Sequence, residues 1–467
     1  MKKSSPLKQI LRLTLAIMLI AVTAISCATP DNPTGTGSPD DTNSPIDSPN
    51  ASNPNDDSEG GVVIQPLDGI AKSSLARNMA PNVAEVDFSK LVSGNSAFAF
   101  DLYQQLQYDE GNLFFSPYSI SLALAMTYAG AKNETEHQMA KTLHFTFPQE
   151  SLHPALNALD IDLMSRGEGA VGKDGEPFQL NIANSIWGQQ DFEFLETFLD
   201  VLAQNYGAGL RLLDFIGAPE ESRTTINDWV SSQTEEKIQD LIPEGAIGNM
   251  TRLVLANAIY FDAAWQHKFN EDFTQDRTFN LIDGSQITVP MMSQTESFRY
   301  YEGEGCRAVE LPYDGGEVSM LLLLPESGRF DEFEGALDAS KMGAIMQNLQ
   351  PSRVLLKMPK FEYESSFKLS EQLGNMGMPI AFSAAADFSG MHLPSELNIS
   401  EVLHKAFVSV DESGTEAAAA TAVLMELTSM PQPPVPVTLD RPFIYLIQDV
   451  ETGTILFLGR VMNPSAT

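Results

Sequence analysis

The chain has 467 residues, with 62 acidic side chains against 28 basic ones, and its formal net charge is −34. This charge argues against a nucleic-acid-binding protein, because phosphate binding needs Lys and Arg to displace counterions. The two cysteines, Cys27 and Cys306, are too few for a disulfide framework, so we expect Cys306 to be a small buried residue.

Residues 1–26 have the architecture of a secretory signal peptide. A basic start precedes an apolar run over residues 13–26 that is too short to span a bilayer comfortably. An uncleaved anchor helix is the alternative interpretation. The run ends in AISC, which resembles the lipobox of prokaryotic lipoproteins. That resemblance implies an exported protein whose Cys27 is lipidated, anchored to the outer face of a prokaryotic membrane or to the cell surface.

Residues 27–84 are expected to form a disordered acidic tether. Most of the segment is Pro, Asn, Asp, Ser, Thr and Gly, which cannot bury enough apolar surface to offset the ordering entropy. A flexible chain of about 50 residues reaches roughly 40 Å. Residues 85–467 carry apolar segments throughout, with neither an internal repeat nor a second linker. We therefore expect one large domain there.

The domain starts with helical patterns and ends with strand patterns, which predicts an α+β fold. The helical patterns cover residues 95–106, 112–131 and 224–242. Within them, Ser116-Pro117 is a helix-start signal and Trp229 lies on an apolar side. The long apolar run at 251–265 predicts a central strand buried on both faces. Further strand patterns, several separated by turn signals, cover residues 278–292, 306–326, 405–410, 437–447 and 454–461.

Motifs for enzymes and metal sites are weak. None of the six histidines pairs with another at a zinc-ligand spacing, so we expect no metal and no cofactor. Ser365 and Lys368 match the SxxK motif of acyl-transfer enzymes, but its companion motifs are missing. An acyl-transfer enzyme that uses Ser365 or another serine is the least favoured class of function.

Four segments resemble the motifs of one family, the serpins, in the right order. They are NLFFSPYSISLALAMTYAGAKNETEHQM (112–139), LVLANAIYFDAAW (253–265), LHKAFVSVDESGTEAAAATA (403–422) and VTLDRPFIYLIQDVETGTILFLGRVMNP (437–464). The match covers nearly all of residues 90–465. It implies a fold of three β-sheets and eight or nine helices, with an exposed reactive loop near the C-terminus. It also implies a suicide-substrate mechanism, in which a protease cleaves the loop and is trapped when the loop inserts into the main sheet.

The loop sequence is compatible with insertion. Written as a strand, it has one uncharged face of small residues, formed by Thr415, Ala417, Ala419, Thr421 and Val423. The other face is formed by Glu416, Ala418, Ala420 and Ala422. Gly414 supplies the backbone freedom of a hinge. EAAAA is also a good helix former, so the alternative is a non-inhibitory serpin with a helical loop that acts as a surface binding module. Thr421 and Val423 favour the strand.

The resemblance also carries over individual positions. Ser116, Ser119, Asn257 and His404 match the hydrogen-bonded cluster beneath the strands that must part. Trp265 matches the tryptophan at the top of the opening. The alternative for each of these residues is an ordinary core position.

The family's spacing places the scissile bond between Thr428 and Ser429, fourteen places after the hinge glycine. Leu427 and Met425 are alternative sites. No Lys or Arg occurs between Lys405 and Arg441, which argues against trypsin-like targets. We expect a monomer that is bound to a membrane through the lipid anchor. Its expected partner is an elastase-like or subtilisin-like serine protease, with a cysteine protease as a further option.

Overall fold

The computed structural model describes residues 69–466, apart from 173, 174, 176, 395, 396 and 416–432. The predicted signal peptide, Cys27 and the tether up to residue 68 lie outside the described residues. So do the loop positions from Glu416 to Ser429. Within the described ranges, no helix is long and apolar enough to cross a membrane.

Nine α-helices occur in the part of the chain that the structure describes. They are α1 (Glu85–Leu106), α2 (Pro117–Tyr128), α3 (Asn133–Thr142), α4 (Gln149–Met164), α5 (Glu196–Tyr206), α6 (Pro219–Gln233), α7 (Phe330–Gly335), α8 (Ala339–Gln347) and α9 (Ser370–Met376). Short 3-10 turns occur at Glu271–Phe273 and Pro379–Phe382.

The predicted helix at 112–131 starts later than expected. Ser116 caps α2, because its Oγ accepts the backbone N–H of Ser119 at 3.2 Å, and Pro117 follows as the first helical residue. The helix predicted over 224–242 ends at Gln233 as α6. Glu235 and Glu236, with φ of 50° and 62°, adopt left-handed backbone conformations that an α-helix cannot contain.

The described residues also form sixteen strands. They are β1 (Ile70–Ala71), β2 (Leu113–Phe115), β3 (Gln179–Gln189), β4 (Leu210–Leu213), β5 (Leu253–Ala264), β6 (Gln275–Asn280), β7 (Gln286–Gly303), β8 (Cys306–Pro312), β9 (Val318–Pro325), β10 (Gln350–Pro359), β11 (Phe361–Lys368), β12 (Glu401–Val410), β13 (Gly414–Thr415), β14 (Val435–Thr438), β15 (Phe443–Asp449) and β16 (Ile455–Val461).

The main sheet has the strand order β1-β4-β3-β5-β12-β11, with β13 paired to β5. All twelve residues of β5 are buried, so the central strand predicted at 251–265 is confirmed. One face of the sheet packs on α2, whose residues are all buried, and the other face packs on α6 and the segment after it.

The second sheet has the order β14-β10-β7-β8-β9-β15-β16-β2, with β6 paired to β7. The long strand β7 joins two parts of it. Its first residues pair with β6, residues 291–300 pair with β10, and its last residues pair with β8. The hairpin predicted at 278–292 and the C-terminal pair of strands are confirmed as β6–β7 and β15–β16. Cys306 starts β8 and is a buried free thiol, as predicted.

The folded part of the chain begins before residue 85, the predicted boundary. Ile70 and Ala71 form β1, which pairs antiparallel with β4 at the edge of the main sheet. Arg77 then contacts α4, with its Nη2 2.6 Å from the Asp160 carboxylate and its Nε 2.8 Å from the Asn157 side-chain oxygen. Residues 69–84 therefore do not fit the expected disordered tether.

Candidate functional site

Two neighbouring strands of the main sheet run parallel but pair over only part of their length. The pairing of β12 with β5 extends from Glu401 opposite Val254 to Ala406 opposite Ile259. Beyond this pairing, β5 continues to Ala264 and β12 to Val410. We call this end of the strand pair the open end.

β13 enters the open end and pairs antiparallel with β5, so that Gly414 lies opposite Ala264 and Thr415 opposite Ala263. Thr415 is 3% exposed, and its Oγ1 lies 3.0 Å from the Tyr313 hydroxyl. Gly414 has a φ of +155°, and a Cβ added there would lie 2.2 Å from the Ala263 carbonyl oxygen. The position therefore accepts glycine alone.

Trp265 fixes the chain just before the hinge. Its ring stacks on Tyr313, with centroids 4.6 Å apart and an interplanar angle of 10°. Its indole N–H donates to the Asp411 carbonyl, and its backbone N–H donates to the Ser413 carbonyl, both at 2.9 Å. The side chain predicted for the top of the opening is thus bonded to the segment that leads into β13.

Glu412 lies in this same segment, and its side chain binds the segment to two other parts of the fold. Its carboxylate lies 2.6 Å from the Lys360 ammonium and accepts a hydrogen bond from the Thr274 hydroxyl at 2.6 Å. Burial acts to raise the pKa of this carboxyl, but the hydrogen bonds from Lys360 and Thr274 outweigh burial and leave the pKa lowered. Glu412 is therefore a charged anchor for the start of the loop.

The side chains of Ser119, Asn257 and His404 lie in one buried hydrogen-bonded cluster, which Asn184 of β3 also joins. Asn257 and His404 lie opposite each other in the β5–β12 register, and the His404 Nδ1–H donates to Asn257 Oδ1 across the two strands. The Asn257 amide N–H donates to Ser119 Oγ at 2.6 Å and to Asn184 Oδ1. The cluster therefore connects β3, β5 and β12 to the start of α2.

Ser116 completes the cluster and fixes the state of His404. The Ser116 backbone N–H donates to His404 Nε2 at 3.1 Å, so that nitrogen must be unprotonated. The remaining proton lies on Nδ1, where it meets the Asn257 oxygen. His404 is fully buried, and burial lowers its pKa to about 3. The imidazole is neutral in the folded protein.

The SxxK pair does not form a catalytic dyad. Ser365 is buried, and its Oγ accepts the Phe114 backbone N–H at 3.1 Å. Lys368 is exposed and stands three places along the same strand, β11, hence on the opposite face. The two side chains therefore point away from each other, so Lys368 is not placed to act as a base for Ser365.

Known proteins match both the sequence and the fold. A family model described as serpin (serine protease inhibitor) matches residues 93–464. The chain belongs to the serpin family. Its relatives include an uncharacterised serpin-like protein of Thermococcus kodakarensis, 40% identical over 376 residues that cover 80% of this chain and 86% of the relative.

One further relative and one solved structure match over comparable lengths of the chain. The leukocyte elastase inhibitor of Xenopus laevis is 41% identical over 384 residues, which cover 80% of this serpin and 99% of the relative. The crystal structure of tengpin, a thermophilic serpin in the native state, matches with a TM-score of 0.73 and 32% identity, covering 84% of this chain and 97% of tengpin. The α+β serpin fold expected from the motifs is therefore shown, and the family is one of protease inhibitors.

The participants of the site that sequence reasoning missed in this serpin are Asn184, Thr274, Tyr313, Lys360 and Glu412. A signal was available for Asn184. It lies between Ile182 and Ile186 on the same face of β3, so it is a polar residue on an otherwise apolar face. Tyr313 and Lys360 carry no such signal, because only the fold brings them to the hinge.

The stability of this serpin should fall as the pH decreases from about 6.5 toward 5. An unfolded histidine has a pKa of about 6.5, whereas burial lowers the pKa of His404 to about 3 and that of His153 to about 4. The unfolded chain therefore binds more protons in this window, and each histidine removes up to about 1.4 kcal/mol of stability per pH unit. Thermal midpoints measured at one scan rate between pH 7 and 5 test this.

His404→Gln is the matched variant for that measurement. It removes one of the two titrating groups, so its midpoint should depend less steeply on pH than that of the unchanged protein. Equal slopes for the two proteins would contradict a neutral, buried His404.

Proposed function

We propose that this serpin is an irreversible, suicide-substrate inhibitor that traps a target protease by inserting its cleaved loop into the main sheet. The observation that carries the proposal is the placement of β13. Gly414 and Thr415 already occupy the open end as the first two residues of an additional strand on β5. The loop is thus connected to the main sheet at the point where insertion would begin.

The register of β13 defines the inserted strand. Gly414 pairs with Ala264 and Thr415 with Ala263, so each later loop residue would meet the preceding residue of β5. Continued in this way, Thr421 would lie opposite Asn257, and Met425 would lie opposite Leu253, the first residue of β5. Insertion would therefore replace the whole β5–β12 pairing and break the His404–Asn257 hydrogen bond.

The side chains that insertion would bury are compatible with the core of the protein. Thr415 lies opposite Ala263, which belongs to the main core, so Ala417, Ala419, Thr421 and Val423 would face the same core. None of these side chains is charged, so insertion would bury no unpaired charge, which would cost several kcal/mol.

The proposed target is an elastase-like or subtilisin-like serine protease, with a cysteine protease as a further option. The loop has no Lys or Arg for a trypsin-like specificity pocket, and a relative of this chain carries the name leukocyte elastase inhibitor. Incubation with an elastase-type protease should give an adduct that survives SDS. Cleavage without an adduct would support the binding-module alternative instead.

Cleavage is expected between Thr428 and Ser429. A small β-branched residue before the bond suits a shallow apolar pocket. Sequencing the new N-terminus released from the trapped complex should give Ser429 first. Thr428 first would move the site to Leu427, Glu426 first would move it to Met425, and a start before residue 425 would exclude all three positions.

The proposed location is the outer face of a prokaryotic membrane, with the monomer held by lipid on Cys27. The AISC sequence before the tether is the support for this placement. Cys27→Ser should release the protein from the membrane fraction of expressing cells. Retention of the variant in that fraction would favour an uncleaved anchor helix.

A further inference from the structure

The loop rejoins the fold beside an exposed face of the second sheet. β14 starts at Val435, shortly after the proposed scissile bond, and pairs parallel with β10 from Val354 opposite Val435 to Lys357 opposite Thr438. Arg353 directly precedes this pairing. It therefore lies where the loop meets the sheet.

Two cations stand on the outer face of β10. Arg353 is exposed and Lys357 half-buried, whereas Val354 and Leu356, which point the other way, are fully buried. Neither Arg353 nor Lys357 forms an ion pair or a side-chain hydrogen bond with any described residue. Within the described part of the chain, no carboxylate neutralises either charge.

On the strands next to these cations, the same face carries no carboxylate as far as Arg299 of β7, where the buried Glu310 of β8 is paired with the Arg299 guanidinium at 2.7 Å. We call the set the cationic face: Ser293, Thr295 and Ser297 of β7, Arg353, Leu355 and Lys357 of β10, and Pro436 and Thr438 of β14. The nearby Glu296 lies opposite Val354, hence on the other side of the sheet. In a chain with 62 acidic and 28 basic side chains, this face departs from the general charge.

We propose that the cationic face is a second contact surface for the target protease, and that it binds carboxylates on the rim of the protease's active site. The proposal rests on the proposed function, because a protease reaches this face by docking on the loop. Thr428 precedes Val435 by 435 − 428 = 7 residues, at most about 25 Å of extended chain. A protease domain of ordinary size is roughly 40 Å across, so one bound at Thr428 is large enough to reach Arg353.

The net charge of −34 does not prevent this contact. At physiological ionic strength the screening length is about 8 Å, so carboxylates elsewhere on the molecule act weakly on the protease rim. Charges in direct contact are screened much less. Such charges at the edge of an interface act mainly on the association rate, which is the quantity to measure.

The test compares two double variants of equal charge change. Arg353→Glu/Lys357→Glu reverses the cationic face, and Lys132→Glu/Lys368→Glu reverses two exposed cations elsewhere. The second-order rate constant for loop cleavage, whether or not an adduct follows, is measured with an acidic subtilisin-type protease and a cationic elastase-type protease. Sodium chloride is set at 0.15 M and at 1 M.

For the acidic protease at 0.15 M salt, the first double variant should react about tenfold more slowly than the second. The difference should shrink strongly at 1 M salt, where the screening length is about 3 Å. Equal rate constants for the two variants would overturn the proposal, as would a loss that salt does not reduce or that is as large with the cationic protease. Because cleavage is counted with or without trapping, a failure of the trapping mechanism shows separately as a missing adduct.

Discussion

Thr415→Arg should abolish trapping while the loop remains cleavable. Thr415 is 3% exposed between β5 and the Tyr313 ring, so an arginine there would be an unpaired buried charge that costs several kcal/mol. β13 has only two residues, and its withdrawal from the sheet relieves that cost without unfolding the domain. Insertion of the cleaved loop is then slower than hydrolysis of the acyl bond, so the protease is released before it is trapped. We expect at least about tenfold less SDS-resistant adduct, with cleavage at the same bond.

Thr415→Val is the matched control, because it keeps the β-branched shape and adds no charge. It should retain most of the adduct, and both variants should melt cooperatively in a thermal scan. Undiminished trapping by Thr415→Arg would show that insertion does not begin at this residue.

Cleavage of the loop should raise the thermal midpoint by roughly 10 °C. The released strand would pair with β5 and β12 along their whole length, whereas these strands now leave an open end between them. If the gain is about 5 kcal/mol, the expected shift is roughly 10 °C, at about 2 °C per kcal/mol for a large domain. A nonspecific protease that nicks the loop without being trapped supplies the cleaved protein for calorimetry.

Cleaved Thr415→Arg is the control for this measurement, since its strand is blocked at the first position. Its midpoint should change by much less than that of the cleaved parent protein. A parent midpoint that stays unchanged after cleavage would contradict loop insertion and favour a helical, non-inserting loop.

The elements that the sequence predicted well are those that local pattern determines. β5 appeared as a long apolar run because a strand buried on both faces needs apolar residues at every position. The β6–β7 hairpin was recognised from Asp283-Gly284 between alternating stretches, which is local turn chemistry. The hydrogen-bonded cluster came from the family resemblance, since nothing local to Asn257 or His404 predicts their contact.

The features that the sequence did not predict depend on distant contacts or on backbone strain. The end of α6 at Gln233 follows from left-handed residues in a stretch that reads as helical by composition. The order of residues 69–84 follows from partners far along the chain, including Asp160 and the strand β4. Gly69 even extends this contact, since its carbonyl accepts the Leu212 N–H at 2.7 Å. Composition alone could not reveal such partners for a polar segment.

The pairing of β1 with β4 covers an edge of the main sheet, and we expect this cover to reduce self-association. β4 would otherwise be the outermost strand of the main sheet, with bare backbone groups available to a strand of another molecule. A version of the chain that starts at residue 85 would lose this cover, and light scattering on heating should show it aggregating sooner than the longer chain. Residues 69–71 would thus limit aggregation through the same sheet that, on the proposed function, accepts the loop as a new strand.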